Sequence, residues 1–207
     1  MEFWNSTLTE KSWEILQDLQ KKSFHFIVIG GWAAHLWAKQ HKSKDLDLVL
    51  PEFKDLDYLK KEYTLKKNDA LKKYEIVFGE IDVDIYVPHY SKLGLPIAEI
   101  VKHTATIEGI RVVLPEILLI LKQSAELNRR NSIKGRKDRI DIITLLLFTG
   151  INFSKYQALL KKYHLESYLS ELKKIILEFR DLDYVGLNSR QYKLKKKELL
   201  EKLKSVV

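Results

Sequence analysis

Two carboxylates separated by one apolar residue, Asp45 and Asp47 in "DLDLVL", follow a glycine pair, Gly30–Gly31 in "VIGGWAAHLW", with 13 residues between. On an extended segment Asp45 and Asp47 project from one face, about 7 Å apart along the backbone. Like charges so placed repel each other, and hard divalent cations, Mg2+ or Mn2+, relieve that repulsion. A second alternation, Glu80, Asp82 and Asp84 in "GEIDVDIY", offers a third carboxylate from another strand, Asp84 or Asp82. Three such groups suffice for a two-metal site, which clamps the attacking and leaving oxygens of an in-line phosphoryl displacement. A single Asp-x-Asp is commonly a solvated acidic edge. Two acidic-faced strands behind a glycine pair favour the metal.

The glycines admit two readings. A strand that stops on Gly30–Gly31 at the mouth of a helix lets backbone amides approach a phosphate, and the helix N-terminus carries the matching partial charge. A tight turn asks for the same residues. A third group of chemical interest lies between Lys122 and Arg139, which span seven basic residues. Lys122, Glu126 and Arg129 or Arg130 recur at helical spacing beside an apolar stripe of Leu118, Leu121 and Ala125. Such a cluster, with Lys137 on the next helix, could neutralise a triphosphate; a solvated basic helix pair is the bland alternative. Asp138 and Asp141 share a helix face and could hold Lys122 or an arginine, cap the helix, or accept a hydrogen bond from substrate.

The elements that position these groups can be read from periodicity. Residues 7–22 carry Trp13, Leu16 and Leu19 at helical spacing, "FHFIVIGG" reads as a buried strand, and "GWAAHLWAKQH" as a helix. "DLDLVLP" alternates as a strand with an acidic side, and a helix around "KDLDYLKKEY" follows. "YTLKK", "KYEIVFGE" and "IDVDIYVP" extend the sheet, and "ATIEGIRVVLP" is a hairpin beyond the helical "PIAEIVKHT". From Pro115 onward every segment has helical periodicity. The fold class predicted is α/β (α+β), a mixed-sheet domain over 1–114 followed by a C-terminal helical bundle over 115–207.

Composition narrows the chemistry. There is no cysteine, so disulfides, thiolate catalysis and cysteine-ligated zinc are excluded. The formal charge of +8 favours a polyanionic partner. No stretch reaches the roughly 18 apolar residues that a membrane span needs, and the N-terminus has no signal-peptide pattern, so a cytoplasmic protein with no membrane partner is expected. The lysine-rich tail "RQYKLKKKELLEKLK" reads as a basic amphipathic helix, docked through Leu199, Leu200 and Leu203.

The apolar strand, Gly30–Gly31, Asp45-x-Asp47 and the later apolar-flanked acid together resemble the nucleotidyltransferase fold of the DNA polymerase β superfamily. Within it, Lys122 ahead of Lys137, Asp138 and Asp141 is similar to the later motifs of the AbiEii-type toxin nucleotidyltransferases. The resemblance covers about residues 26–147. It implies transfer of a nucleoside monophosphate from a nucleoside triphosphate, ATP among them, to an acceptor hydroxyl, with release of pyrophosphate. Asp45, Asp47 and Asp84 would be the metal ligands, Asp82 the alternative for the third. Gly30, Gly31, Lys122, Arg129, Arg130, Lys137 and Asp138 would bind nucleotide, and Lys122 would take part in catalysis. RNA, the 3′ end of a tRNA in particular, is the implied acceptor, with a toxin role and a cognate antitoxin. An antibiotic-type small-molecule acceptor is the second reading, because "GGWAAHLW" is also similar to the opening of aminoglycoside and lincosamide nucleotidyltransferases. A non-catalytic partner of a toxin–antitoxin pair is the third.

Overall fold

A computed structural model describes residues 6–204. The chain divides between Leu114 and Pro115 into two compact units, the first mixed α/β and the second helical. The first holds strands β1 (Ile27–Ile29), β2 (Leu46–Val49), β3 (Lys66–Asn68), β4 (Lys73–Phe78), β5 (Ile81–Tyr86), β6 (Thr104–Ile107) and β7 (Ile110–Val113). Its helices are α1 (Ser6–Gln20), α2 (Gly30–Ala38), α3 (Phe53–Glu62) and α4 (Ile97–Lys102).

These strands form one sheet in the order β3-β4-β5-β2-β1-β7-β6. Strands β2 and β5 are parallel, as are β1 and β7, while the remaining neighbours are antiparallel. The parallel β2–β5 pairing needs a crossover, supplied by α3 and the β3–β4 hairpin. Along β2 and β5 the apolar members of the alternation, Leu46, Leu48, Val83 and Ile85, are fully buried. The period of two therefore leaves Asp47 and Asp84 on the opposite face.

Strand β3 starts later than "YTLKK" suggested and runs into Asn68, and three further boundary differences bear on the acids and glycines. Strand β1 stops at Ile29, because Gly30 adopts φ +66° and turns the chain into α2. Asp45 precedes β2 instead of opening it, and Glu80 sits in the β4–β5 turn, off the acidic strand face. Helix α2 is apolar nearly all round, with Trp32, Ala33, Ala34, Leu36 and Ala38 buried. Its tryptophans are framework, as their apolar setting predicts. Trp32 Nε1 donates to Ser12 Oγ at 2.8 Å with its ring 5.1 Å from that of Trp13, and Trp37 Nε1 donates to the Val113 carbonyl at 2.8 Å.

The second unit contains α5 (Pro115–Arg129), α6 (Ile133–Phe148), α7 (Phe153–Lys162), α8 (Ser167–Glu178), a 3₁₀ turn (Leu182–Val185) and α9 (Ser189–Lys204). Side-chain caps start three of them: Ser132 Oγ accepts from Gly135 N at 3.0 Å, Asn152 Oδ1 from Lys155 N at 2.9 Å and Asn188 Oδ1 from Gln191 N at 2.9 Å. Gly135 also sets the α5–α6 corner, since a β-carbon there would stand 2.2 Å from the Arg129 carbonyl oxygen. Helix α9 docks through Tyr192, Leu199 and Leu203, with Tyr192 Oη donating to the Ile176 carbonyl at 2.8 Å. Among the described residues no helix is long and apolar enough to cross a membrane.

Candidate active site

The register of the sheet assembles the acids. Pairing of β2 with β5 places Asp47 directly beside Asp84. Pairing of β4 with β5 places Glu75 on the other side of Asp84. Three carboxylates therefore stand abreast on adjacent strands, which are spaced about 4.8 Å apart. Beyond Asp47 the row meets Ile29 of β1 and the β1–α2 corner at Gly30. Asp45, just before β2, is half-buried, and its Oδ1 accepts a 3.4 Å hydrogen bond from Asp82 N. Asp82 itself is exposed and pairs with Val77 on β4. It is Asp84, and not Asp82, that lies across from Asp47.

Asp47 is fixed from two directions. Tyr86 Oη donates to its Oδ1 at 3.3 Å, and its Oδ2 lies over Gly30, where a β-carbon would be 2.0 Å away. No residue but glycine leaves that space at φ +66°. Asp84 is more secluded, with its side chain 17% exposed. Its Oδ2 accepts from Lys73 Nζ at 2.6 Å, while its Oδ1 is buried and accepts no hydrogen bond. Burial, and next the charge of Asp47, push the Asp84 carboxyl up to about 6 despite the opposing Lys73. Lys73 also reaches Glu75 Oε1 at 3.0 Å. Its pKa is raised: burial alone would lower it, and the bonds to Asp84 and Glu75 outweigh that effect.

As they stand, these carboxylates do not converge: among the described residues no three His, Asp or Glu side chains gather where one ion could be held. The donor chemistry nevertheless fits a hard cation. A buried carboxylate oxygen without a hydrogen bond, in an acid whose ionised form is disfavoured by burial and by a neighbouring acid, is the kind of donor that a hard cation stabilises.

Lys73, Glu75 and Tyr86 escaped the sequence reading, although a signal for two of them exists. The two-residue turn Gly79–Glu80 pairs Phe78 with Ile81, and counting back from it sets Glu75 opposite Asp84. Alternation then puts Lys73 on the face of Glu75.

In the helical unit the basic stripe is met by acids. Lys122, 7% exposed, donates to Asp141 Oδ2 at 2.5 Å and to Asp138 Oδ1 at 3.3 Å. Arg129 grips buried Asp138 with two bonds, Nε to Oδ2 at 2.6 Å and a second nitrogen to Oδ1 at 3.0 Å. Arg130 and Arg139 both bind Glu126, which is 1% exposed, and Arg130 also reaches Glu171 at 2.7 Å. Lys137 is half-buried. Of the roles open to Asp138 and Asp141, the structure shows the first: they hold Lys122 and Arg129.

No protein-family model matches the chain, and no curated protein matches it in sequence. Solved structures do. JHP933 from Helicobacter pylori superposes with a TM-score of 0.50 and 13% identity over 98% of this chain and 95% of that one. The two share a fold. An antigenic nucleotidyltransferase-like protein from Paracoccidioides brasiliensis aligns more loosely, with a TM-score of 0.47 and 16% identity over 82% of this chain and 93% of that one. The STING-associated CdnE c-di-GMP synthase from Capnocytophaga granulosa gives a TM-score of 0.31 and 17% identity over 98% of this chain and 81% of that one. The mixed sheet followed by C-terminal helices is the architecture expected from the sequence. Nothing in these likenesses narrows it to the AbiEii-type group.

Proposed function

We propose that this chain is a metal-dependent nucleotidyltransferase that moves a nucleoside monophosphate from a nucleoside triphosphate to an acceptor hydroxyl. The observation that carries the reading is the register of Asp47 with Asp84 across parallel strands, at the corner where Gly30 makes room for the Asp47 carboxylate. Asp45, Asp47 and Asp84 would hold divalent cations, Mg2+ or Mn2+, whose chemistry is to neutralise the phosphates and lower the pKa of the acceptor hydroxyl.

What the side chains themselves do follows from their placement. The acceptor oxygen attacks the α-phosphorus as the bond to the bridging oxygen breaks, and pyrophosphate leaves with that electron pair. Asp84 would ligate the ion that activates the acceptor hydroxyl and, standing beside it, would help to remove its proton. Gly30 and Gly31 present backbone amides at the start of α2 to the phosphates. Lys122 acts by holding Asp138 and Asp141; Arg129 and Arg130, whose side chains are each 41% exposed, have surface to offer a nucleotide.

RNA, with the 3′ end of a tRNA foremost, is the acceptor we favour, on the AbiEii-type resemblance and the +8 charge. A toxin role and an antitoxin partner belong to the same resemblance. The test is incubation with each labelled nucleoside triphosphate, Mg2+ and total small RNA, beside Asp45→Asn and Asp47→Asn. Label enters RNA with the wild type alone. Equal labelling by all three proteins would remove these aspartates from the mechanism, and no labelling with any nucleotide would turn the search to small-molecule acceptors.

A further inference from the structure

The row Glu75, Asp84, Asp47 concentrates three acids on neighbouring strands, an arrangement that costs stability unless a cation shares it. Lys66 on β3 stands beside Glu75 and adds positive charge, but it is Lys73 whose ammonium reaches two of the acids. It lies two positions before Glu75 on the same face of β4 and is 12% exposed; its ammonium is 2.6 Å from Asp84 Oδ2 and 3.0 Å from Glu75 Oε1. Glu75 is in turn fixed by Asn68 Nδ2, which donates to Oε1 at 2.9 Å. Asn68 is itself the cross-strand partner of Lys73 on β3. A closed chain of contacts, Asn68 to Glu75 to Lys73 to Asp84, thus runs inward from the edge strand to the third carboxylate.

The two oxygens of Asp84 are treated differently by this chain. Oδ2 is taken by Lys73, whereas Oδ1 is buried and accepts nothing. We propose that Lys73 is a positioning residue: by holding Oδ2 it fixes the Asp84 rotamer and leaves Oδ1 free for a divalent cation, with Glu75 and Asn68 as its anchor. Partners of this kind, which bind the non-ligating atom of a metal ligand, orient the ligand and keep it ionised. The proposal rests on the metal-dependent reading above.

A counter-ion with a purely structural role would lower stability when removed and leave the metal affinity of the folded protein unchanged. The measurement is therefore Mn2+ binding without nucleotide, by electron paramagnetic resonance, on the wild type, Lys73→Met, Lys73→Arg and Glu75→Gln, with urea unfolding of each alongside. Lys73→Met binds Mn2+ about 10- to 100-fold more weakly. Lys73→Arg, which keeps a donor, recovers most of the loss, and Glu75→Gln falls between. Affinity in Lys73→Met equal to or tighter than that of the wild type overturns the proposal. If Lys73→Met does not fold, Glu75→Gln decides: weaker binding supports the anchor, unchanged binding overturns it. A wild type that takes up no Mn2+, with or without nucleotide, removes the nucleotidyltransferase reading itself. Uptake by the wild type with no effect at position 73 removes only the role of Lys73.

Discussion

Gly30 and Asp47 occupy one another's space: a β-carbon at position 30 would stand 2.0 Å from Asp47 Oδ2 and 2.9 Å from Asp47 Cβ. The glycine also carries φ +66°, a conformation that costs other residues about 1–2 kcal/mol. Gly30→Ala therefore loses stability by at least that amount and pushes the Asp47 carboxylate out of line with Asp84. Since a misplacement of about 1 Å can cost about 100-fold in rate, the proposed nucleotidyl transfer falls by that order. Urea unfolding and a single-turnover assay measure the two effects. An alanine variant of full activity would show that Asp47 has another place to stand.

Asp84 makes the metal-free protein less stable than it could be. Its folded pKa, about 6, lies above the roughly 3.9 of an unfolded aspartate, so the folded state binds the proton more tightly. The stability contributed by this group is greatest below the unfolded value and is lost as pH rises from about 4 through 6. In chelator, wild-type stability therefore drops between pH 5 and pH 7 by more than that of Asp84→Asn. At pH 7 the asparagine variant is the more stable protein, by on the order of 2 kcal/mol, and it is inactive. Saturating Mn2+ reverses the order, because the wild type, with all three carboxylates, gains more from the ion. Equal pH profiles for the two proteins would contradict this assignment.

Lys122, Asp138 and Asp141 form a buried ion cluster in the α5–α6 pair, where removing one partner strands the charge of another. Lys122→Met leaves Asp141 without its 2.5 Å bond and costs about 3 kcal/mol. Asp138 is better insured, since Arg129 still grips it. The double variant Lys122→Met/Asp141→Leu removes both charges and is more stable than Lys122→Met alone, a non-additivity read from a double-mutant cycle in urea. Additive losses would mean that the cluster contributes packing and no electrostatic coupling.

Alternation and glycine placement made much of the first unit legible in sequence: Leu46, Leu48, Val83 and Ile85 had to face one way, so Asp47 and Asp84 had to face the other. What periodicity cannot supply is the partner of each side chain. The basic stripe of α5 looked like a reserve of positive charge because acids that neutralise it lie on other helices: Lys122 and Arg129 meet Asp138 on α6, and Arg130 reaches Glu171, 41 positions on. Lys73 was passed over for the opposite reason. It sits among other lysines in "ALKKYE", where composition hides a residue whose neighbours across the sheet are acids. Strand ends, too, were set by backbone geometry: the φ of Gly30 ended β1 a residue before the glycine pair.

The choice between RNA and a small-molecule acceptor has an electrostatic signature. Helix α9 bears seven basic and two acidic residues. Glu198 takes up Lys195 and Lys202, and Glu201 lies only 4.0 Å from Lys197, a solvent-screened contact at 79% exposure, so the excess positive charge is carried by exposed positions such as Lys193 and Lys197. If these lysines meet phosphates, each contact releases counterions and steepens the salt dependence of binding by about 0.7 to 0.9 in the log–log slope. Affinity for tRNA then falls steeply between low and physiological salt, and Lys193→Glu/Lys197→Glu weakens it further while flattening the slope by about 1.5. Neither position packs in the core, so the fold of the double variant is unchanged by circular dichroism. A small uncharged acceptor would show none of this, its KM holding level across the same salt series. An unaltered tRNA slope in the double variant would locate the nucleic-acid contacts elsewhere on the chain.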